Sequence, residues 1–315
     1  MKKKGFVYIT TVTIFLIIIV SLFFIHEVYN DRSSGDSIET RIKTIDYFIS
    51  DLEEDIERAA YISGFRTFIA LEEYVSANGV FLDDVEQSFL EAFFNGTIGA
   101  TSPPILDQST FSQYISKVNA NSNKIGINFN ITVSSIELYQ IDPWIVGVEI
   151  NTQVNITDYK GLAEWNFDQT FLSEIPIEDL KDPLYSVKTL GRLPSFVKRT
   201  NITDFVAADN STDELLSHIE NSYYNASIRA PSFLMRFEGN LSNDTNGIES
   251  IVDISFLEKQ EDLEIHYTRS VIDYIYFGVG VTNNKCNVQN MPSWFRIDEN
   301  HVPDYEIDQL TFTDC

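Results

Sequence analysis

The sequence predicts an α+β protein in which a long N-terminal helix precedes an antiparallel sheet. Isoleucines recur at helical spacing between Ile38 and Ile56, and apolar residues alternate with polar ones between Ile127 and Phe171. The helical spacing indicates one apolar face of a helix, and the alternation indicates strands with one face exposed to solvent. A charge-free apolar stretch, Phe6–Ile25, precedes both. The predicted fold is therefore an N-terminal transmembrane helix and a long helical stalk, followed by an antiparallel β-sheet ectodomain.

The apolar stretch Phe6–Ile25 has no charge and no proline. As a helix it spans about 30 Å, which is the thickness of the hydrocarbon core of a bilayer. Three lysines at positions 2–4 precede it. By the positive-inside rule, they place residues 1–5 in the cytoplasm and the C-terminal domain outside the cell. Since no small-residue cleavage site follows the stretch, we predict a retained single-pass anchor in the cell membrane, which contacts lipid through Phe6–Ile25.

The residues around the start of this stretch, Lys3-Lys4-Gly5-Phe6, resemble a class III signal peptide of type IV pilins. In that family a membrane peptidase cuts after the glycine, and the retained apolar helix packs in the core of a filament. The resemblance implies cleavage between Gly5 and Phe6. Many bacterial pilins carry Glu at the fifth mature position, where this chain has Thr10. The resemblance, which covers about the first 25 residues, therefore favours the archaeal type IV pilin-like surface proteins.

A helical stalk region is predicted over residues 36–96. A polar break at 30–35 precedes Asp36, which forms a capping box with Glu39. The helix that follows carries an apolar stripe with the a and d spacing of a coiled coil. The stripe consists of Ile38, Ile42, Ile45, Ile49, Leu52, Ile56 and Ala59. We predict that Ile38–Ile56 is a seam for self-association or for pilin-like partners.

Two glycines predict where the stalk helices end. Asn78-Gly79 ends the first helix, because glycine readily takes the left-handed conformation that follows a helix. A second helix, Asp83–Phe94, ends at Asn95-Gly96 for the same reason.

Residues 107–200 are predicted to form an α+β region with an antiparallel sheet. Ser109-Thr110 caps a short helix that ends at Val118. Period-two alternation then predicts a three-stranded meander. Its strands are 127–133, 146–154 and 165–171, with a turn at 158–161. Residues 173–200 are predicted as turn and loop, with Asp182-Pro183 as the clearest signal.

Residues 201–315 are predicted to form a second α+β region that ends in a cysteine loop. A capping box at Ser211–Glu214 opens a helix that runs through Tyr223. The predicted strands are Phe233–Glu238, Ile248–Ile254, Leu263–His266 and Val271–Val281. The last thirty residues are predicted to be loop-like.

The chain is strongly acidic and contains only two cysteines. Its formal net charge is −25, which disfavours nucleic acid as a partner. Cys286 and Cys315 cannot build a four-ligand zinc site. On the extracellular side we expect them to form a disulfide, which the chain-entropy model values at about 3–4 kcal/mol. The alternative is two free thiols.

A stalk helix followed by an antiparallel sheet and a C-terminal cysteine loop is similar to the overall plan of type IV pilins. This chain is about twice as long as a typical major pilin. Together with the polar break at 30–35, this favours a minor or tip subunit, or a pilin-like protein outside any filament. The alternative is a surface protein on a coiled-coil stalk.

Eight Asn-x-Ser/Thr sequons follow the apolar stretch, and we predict that at least some carry glycans. They are Asn95, Asn130, Asn155, Asn201, Asn210, Asn225, Asn240 and Asn243. Two acidic stretches could serve as calcium ligands, although neither matches a calcium loop. One is Ser242–Gly247 with Asp253, and the other consists of Asp298, Glu299, Asp304, Glu306 and Asp308.

No sequence motif for catalysis is found. There is no G-x-S-x-G, no H-E-x-x-H and no phosphate loop, and the four histidines are scattered. We therefore predict no catalytic, metal or cofactor site, and a non-enzymatic structural or assembly protein, in particular a minor pilin-like subunit. A membrane-tethered extracellular binding module for a ligand or partner protein is the alternative, and an ectoenzyme is a third hypothesis.

Overall fold

A computed structural model of the chain describes the backbone of residues 3–193, 195–278 and 282–315, and their side chains except those of 3–10 and 27–37. The fold is α+β, as the sequence predicts. The helices are α1 Lys3–Asn78, α2 Val85–Asn95, α3 Phe111–Lys124, α4 Pro183–Lys188, α5 Asp213–Glu220, α6 Phe233–Phe237, α7 Ile254–Leu257 and α8 Asp273–Tyr276. The strands are β1 Ile127–Asp142, β2 Ile145–Asp158, β3 Glu164–Pro176, β4 Tyr224–Ala226, β5 Ile248–Ser250, β6 Asn284–Cys286, β7 Ile297–Asp298 and β8 Thr313–Asp314.

Helix α1 is longer than the sequence predicts. Its 76 residues run through the expected break at 30–35 and past the expected start at Asp36, so both predictions are wrong. Extending a helix costs less than nucleating a new one, and a single glycine in a helix costs only about 1 kcal/mol. The predicted end is confirmed: the N–H of Gly79, at φ +65°, donates to the Val75 carbonyl oxygen at 2.9 Å.

The predicted span Phe6–Ile25 lies within α1, but the side chains of residues 6–10 are outside the described part. Among the side chains that are described, no helix offers an apolar stretch long enough to cross a membrane.

A three-stranded antiparallel meander, β1-β2-β3, packs against the C-terminal half of α1. The predicted strands are confirmed, and all three extend beyond their expected ends. The register places Ile131 opposite Val154, and Val154 opposite Phe167, so apolar side chains share one face. Helix α1 approaches this face closely at Gly64, where a Cβ atom would lie 2.5 Å from Cδ1 of Ile175.

The apolar stripe of α1 divides into two parts. Ile45, Leu52 and Ile56 are buried in the chain's own core, whereas Ile38 and Ile42 are exposed. This packing corrects the prediction of a seam along Ile38–Ile56, because the three buried side chains are not free to meet a second copy. Only the N-terminal end of the stripe remains available for self-association.

Helices α2 and α3 complete this part of the core. Asp84 caps α2 and accepts a bond from the Gln87 N–H at 2.8 Å, and Thr110 forms a capping box with Gln113 at the start of α3. Helix α2 matches its prediction. Helix α3 runs six residues past Val118, because its polar C-terminal turns lie in solvent, where helix continuation is tolerated.

The region from 177 onward is less regular than predicted. Asp182-Pro183, expected to mark a loop, begins helix α4: Asp182 accepts from the Leu184 N–H at 2.8 Å, and proline suits the first helical turn. The predicted helix 211–223 is confirmed only over Asp213–Glu220. Its expected capping box is absent: Thr212 is the N-cap residue without a side-chain cap bond, and the Ser211 hydroxyl accepts from the Asp213 N–H at 3.3 Å.

Three strand predictions in this region are wrong, and a fourth is too long. Residues 233–237 form helix α6, and residues 263–266 form no strand. Within 271–281, residues 273–276 form helix α8, whereas 279–281 lie outside the described residues. Strand β5 covers only the start of 248–254. In segments this short, hydrophobic periodicity does not distinguish a strand from a buried turn of helix. Tertiary contacts therefore determine which structure forms.

The cysteine pair is confirmed. Cys286 on β6 and Cys315 lie at disulfide distance, with Cα atoms 5.4 Å apart. Strand β6 is the middle strand of a small antiparallel sheet, β7-β6-β8, which holds the C-terminal residues against the body. The buried apolar side chains from Ile45 to Leu310 form one continuous cluster.

Candidate functional site

The first candidate site is the N-terminal part of α1. Every side chain from Thr11 to His26 is exposed. Twelve of these are large apolar side chains, and their exposed fractions run from 42% for Ile19 to 72% for Phe23. Burying one such side chain is worth about 1.5–3 kcal/mol, so a continuous exposed run of them marks a surface that another apolar phase covers.

The second candidate site surrounds His301, whose side chain is only 1% exposed. A turn after β7 brings His301 back over Asp298, and Nδ1 of the ring lies 2.8 Å from both carboxylate oxygens of Asp298. On the other side of the ring, Nε2 lies 3.3 Å from Oε2 of Glu249 on β5. The hydroxyl of Tyr274 on α8 lies 3.1 Å from the same nitrogen.

The neighbours of His301 hold its ring in the protonated form. Burial by itself lowers the pKa of the imidazole, but the hydrogen bonds and charges of Asp298 and Glu249 outweigh burial and raise it to about 10. The pKa of Asp298 is lowered, since the bonds from His301 and Ser270 exceed the effect of burial. Burial and nearby carboxylates raise the pKa of Tyr274. A protonated imidazole donates hydrogen bonds but cannot serve as a general base for that hydroxyl.

Asp304 adds a third ligand atom to this cluster. A carboxylate oxygen of Asp304, one of Glu249 and a ring nitrogen of His301 all lie within 4.8 Å of one another. Glu249 and His301 are buried, whereas the Asp304 side chain is 33% exposed and forms an ion pair with Arg229. These three residue types are common ligands of divalent transition metals.

Sequence reasoning found only part of this cluster. It considered Asp298 and Asp304 as calcium ligands but omitted His301 and Glu249. The spacing of Asp298 and His301, three residues apart, is a usable local signal for a carboxylate that orients a histidine. Glu249 lies 52 positions before His301. Only the pairing of β4 with β5 and the packing of β5 bring it to the site.

A buried ion network stands next to this cluster. The guanidinium of Arg236 donates to Asp182 at 2.6 Å and to Asp273 at 2.9 Å, and all three side chains are fully buried. The hydroxyl of Tyr224 donates to Asp182 at 2.8 Å, and that of Ser250 donates to Asp273 at 2.8 Å. The network joins α4, α6, α8, β4 and β5. We interpret it as structural, because its charges are paired within the core.

The sequons stay a prediction, and the structure places them as follows. Five of the asparagines are exposed, namely Asn95, Asn130, Asn201, Asn240 and Asn243. The other three, Asn155, Asn210 and Asn225, are half-buried. All eight are therefore at least partly accessible to a glycan. The expected cleavage site, Gly5-Phe6, lies in α1, and its side chains are outside the described part.

Several residues of the two acidic stretches make other contacts. Asp253 instead caps α7 and accepts from the Phe256 N–H at 3.2 Å. In the second stretch, Glu306 accepts from the Val206 N–H at 3.1 Å, and Glu299 and Asp308 are exposed. Among the described residues, Asp304 is the only member of either stretch in the metal-compatible group.

Comparisons with protein-family models, with curated proteins and with solved structures find no match to this chain. The resemblance to type IV pilins therefore stays a prediction that rests on the N-terminal residues.

Proposed function

We propose that this chain is a membrane-anchored, extracytoplasmic structural or assembly protein. One observation carries the proposal: the apolar side chains at 12–25 are exposed around the whole circumference of α1. A helix that packs on a globular body has one apolar face, whereas a helix that is apolar all round requires an apolar environment on every side. A lipid bilayer supplies that environment.

The proposed span joins the described residues 11–25 to residues 6–10. Together they reach about 30 Å, enough to cross the hydrocarbon core. The lysines at 2–4 set the orientation, with the N-terminus in the cytoplasm and the body outside the cell. The disulfide-distance pair Cys286–Cys315 supports this orientation, because disulfides persist in oxidising compartments. The exposed sequons agree with it.

We further propose that the chain is a minor pilin-like subunit without enzymatic activity. Lys4-Gly5-Phe6 supports this, since cleavage there would release an apolar helix able to leave the bilayer and pack with other subunits. Ile38 and Ile42 are also exposed and offer a second apolar contact nearer the body. In such an assembly, contacts between copies use the N-terminal part of α1 and not the buried stripe.

N-terminal sequencing of the protein recovered from membranes tests both proposals. We expect a mature chain that begins at Phe6 and remains in the membrane fraction after alkaline washing. A Gly5→Leu variant should keep its lysines, because the peptidase requires a small residue before the cut, and should stay membrane-bound. An intact N-terminus in the wild-type protein would overturn the pilin-like proposal alone. Recovery of uncleaved protein in the soluble fraction would overturn the anchor as well.

The alternative, a membrane-tethered extracellular binding module, is favoured by a cleft of about 620 Å³ beside Cys315. Lys285 and Arg296 line it together with Glu299 and Asp314. The Lys285 ammonium already pairs with Asp314 at 2.5 Å, which leaves Arg296 as the principal free cation among those lining residues. If this alternative holds, a screen of small anions should find a ligand whose affinity falls in an Arg296→Gln variant.

A further inference from the structure

We propose that Glu249, His301 and Asp304 bind a divalent transition-metal ion of the zinc class. The three donor atoms come from β5, from the turn after β7 and from the segment that follows it. They converge to within 4.8 Å of one another. Ligand atoms around one zinc ion, with bonds of about 2.0–2.2 Å, lie roughly 3.4 Å apart. The three donor atoms must therefore move closer together when the ion binds, and the partly exposed Asp304 side chain is the one with room to do so.

Glu249 supplies an independent sign of a ligand. Its side chain is 1% exposed, and Oε1 accepts a bond from the Tyr305 hydroxyl at 3.0 Å. Its other oxygen, Oε2, is buried, and it lies 3.3 Å from Nε2 of His301 in a geometry that does not qualify as a hydrogen bond. Buried carboxylate oxygens are normally satisfied, because leaving one without a hydrogen bond is costly. A cation bound between Oε2 and Nε2 would satisfy this oxygen.

Asp298 orients the ring of His301. It accepts from Nδ1 of His301 at 2.8 Å, which leaves Nε2 as the nitrogen that faces Glu249. Metal-bound histidines almost always donate their second ring N–H to a carboxylate, a backbone carbonyl or water. Ser270 holds Asp298 in turn, since its hydroxyl donates at 2.8 Å.

The charges of the cluster also favour a cation. Glu249, Asp298 and Asp304 contribute three negative charges, and Arg229 pairs with the last of them. A divalent ion balances the two negative charges that Arg229 leaves. Balance matters here because an uncompensated buried charge costs several kcal/mol.

The donor set distinguishes zinc from calcium. An imidazole nitrogen with two carboxylates suits zinc, whereas calcium takes six to eight oxygen ligands. Three protein ligands leave a fourth position for water. Asp304 lies at the surface and offers the ion a route from solvent. Calcium should therefore fail to displace zinc from this site.

The test is a zinc titration of the full chain, purified in detergent, stripped with a chelator and followed by calorimetry. We expect one saturable zinc site per chain, unchanged by excess calcium. Asp304→Asn should weaken zinc binding at least tenfold. Loss of a residue that only supports a ligand already weakens metal binding 10–100-fold, and Asp304 is itself a ligand. His301→Gln should abolish it. Cobalt bound in place of zinc should give visible ligand-field absorption that both variants lose.

His266→Gln is the matched control, because Nδ1 of His266 also lies near a carboxylate, 3.6 Å from Glu264, without a third ligand. It should bind zinc like the wild type. If His301→Gln fails to fold, Asp304→Asn still decides, since its side chain is partly exposed and circular dichroism can verify its fold. A wild-type chain without a saturable zinc site, or an Asp304→Asn chain that binds zinc as tightly as the wild type, would overturn the proposal.

Discussion

The two halves of α1 belong to one helix but bury their apolar residues in different ways. From Ile45 to Val75 most apolar side chains occupy one face and are buried against the sheet and α2, although Tyr47, Tyr61 and Ile62 are exposed. From Val12 to Ile25 they surround the helix and are exposed. The C-terminal half is amphipathic and can be satisfied within the chain, whereas the N-terminal half has no polar face to turn toward water. This difference in pattern therefore gives a core in one half and an external contact surface in the other.

The largest effect should come from placing a charge in the C-terminal half. Ile56 is fully buried, so Ile56→Asp puts a carboxylate where no cation pairs with it. The cost is several kcal/mol, comparable to the whole stability of a domain. We expect the body to unfold, as measured by near-ultraviolet circular dichroism. Ile42→Asp is the control, because Ile42 is 37% exposed and its replacement should leave the spectrum unchanged. Equal loss of structure in both variants would contradict this division of the helix.

The sequence predicts only part of this division of α1. Helical period predicted the stripe, and period-two alternation predicted the three long strands with the correct inward residues, because each signal is local and repeats many times. The spacing does not show which surface covers Ile45 or Ile56, because that depends on the tertiary fold. A seam between copies and packing on the chain's own sheet are equally compatible with the spacing. The break at 30–35 was mispredicted because local polarity was weighed without the long helical runs on either side.

Most of the candidate metal site could not be predicted from the sequence, because it too depends on the tertiary fold. His301 and Asp298 are close in sequence, but Glu249 reaches them only through β5, and the predicted strand at 248–254 carries no signal of where it packs. The short helices α6 and α8 carry Arg236 and Asp273, and their buried ion pair fixes that part of the fold. Such a pair joins residues 37 positions apart, and neither residue shows a local signal.

The buried C-terminal half of α1 also contains an acidic residue, Glu72. It is 3% exposed, Oε1 has no hydrogen-bond partner, and burial raises its pKa from 4.5 to about 8. The folded state therefore holds the proton more tightly than the unfolded state, and stability falls as pH rises from about 4.5 to about 8. Glu72→Gln should raise the free energy of unfolding by about 1–3 kcal/mol at pH 8.5 and change it little at pH 4.5.

Urea denaturation at the two pH values measures this difference. Glu73→Gln is the matched control, because Glu73 is exposed and its removal should change stability by less than about 0.5 kcal/mol at either pH. A Glu72→Gln variant as sensitive to pH between 4.5 and 8.5 as the wild type would contradict the role given to Glu72.

The smallest effect comes from alanine at two glycines of α1, and here the two halves should respond with opposite sign. At Gly64 the added Cβ would lie 2.5 Å from Cδ1 of Ile175, so overpacking should outweigh the helical gain of alanine and Gly64→Ala should destabilise the body by about 1 kcal/mol. At Gly35 the backbone is helical and the helix gains about 1 kcal/mol from alanine. Hydrogen exchange of the amides at 30–40 should then slow about fivefold in Gly35→Ala. If Gly64→Ala instead stabilised the body, the close approach of α1 to β3 would be wrong, and the C-terminal half of the helix would be held by its apolar stripe alone.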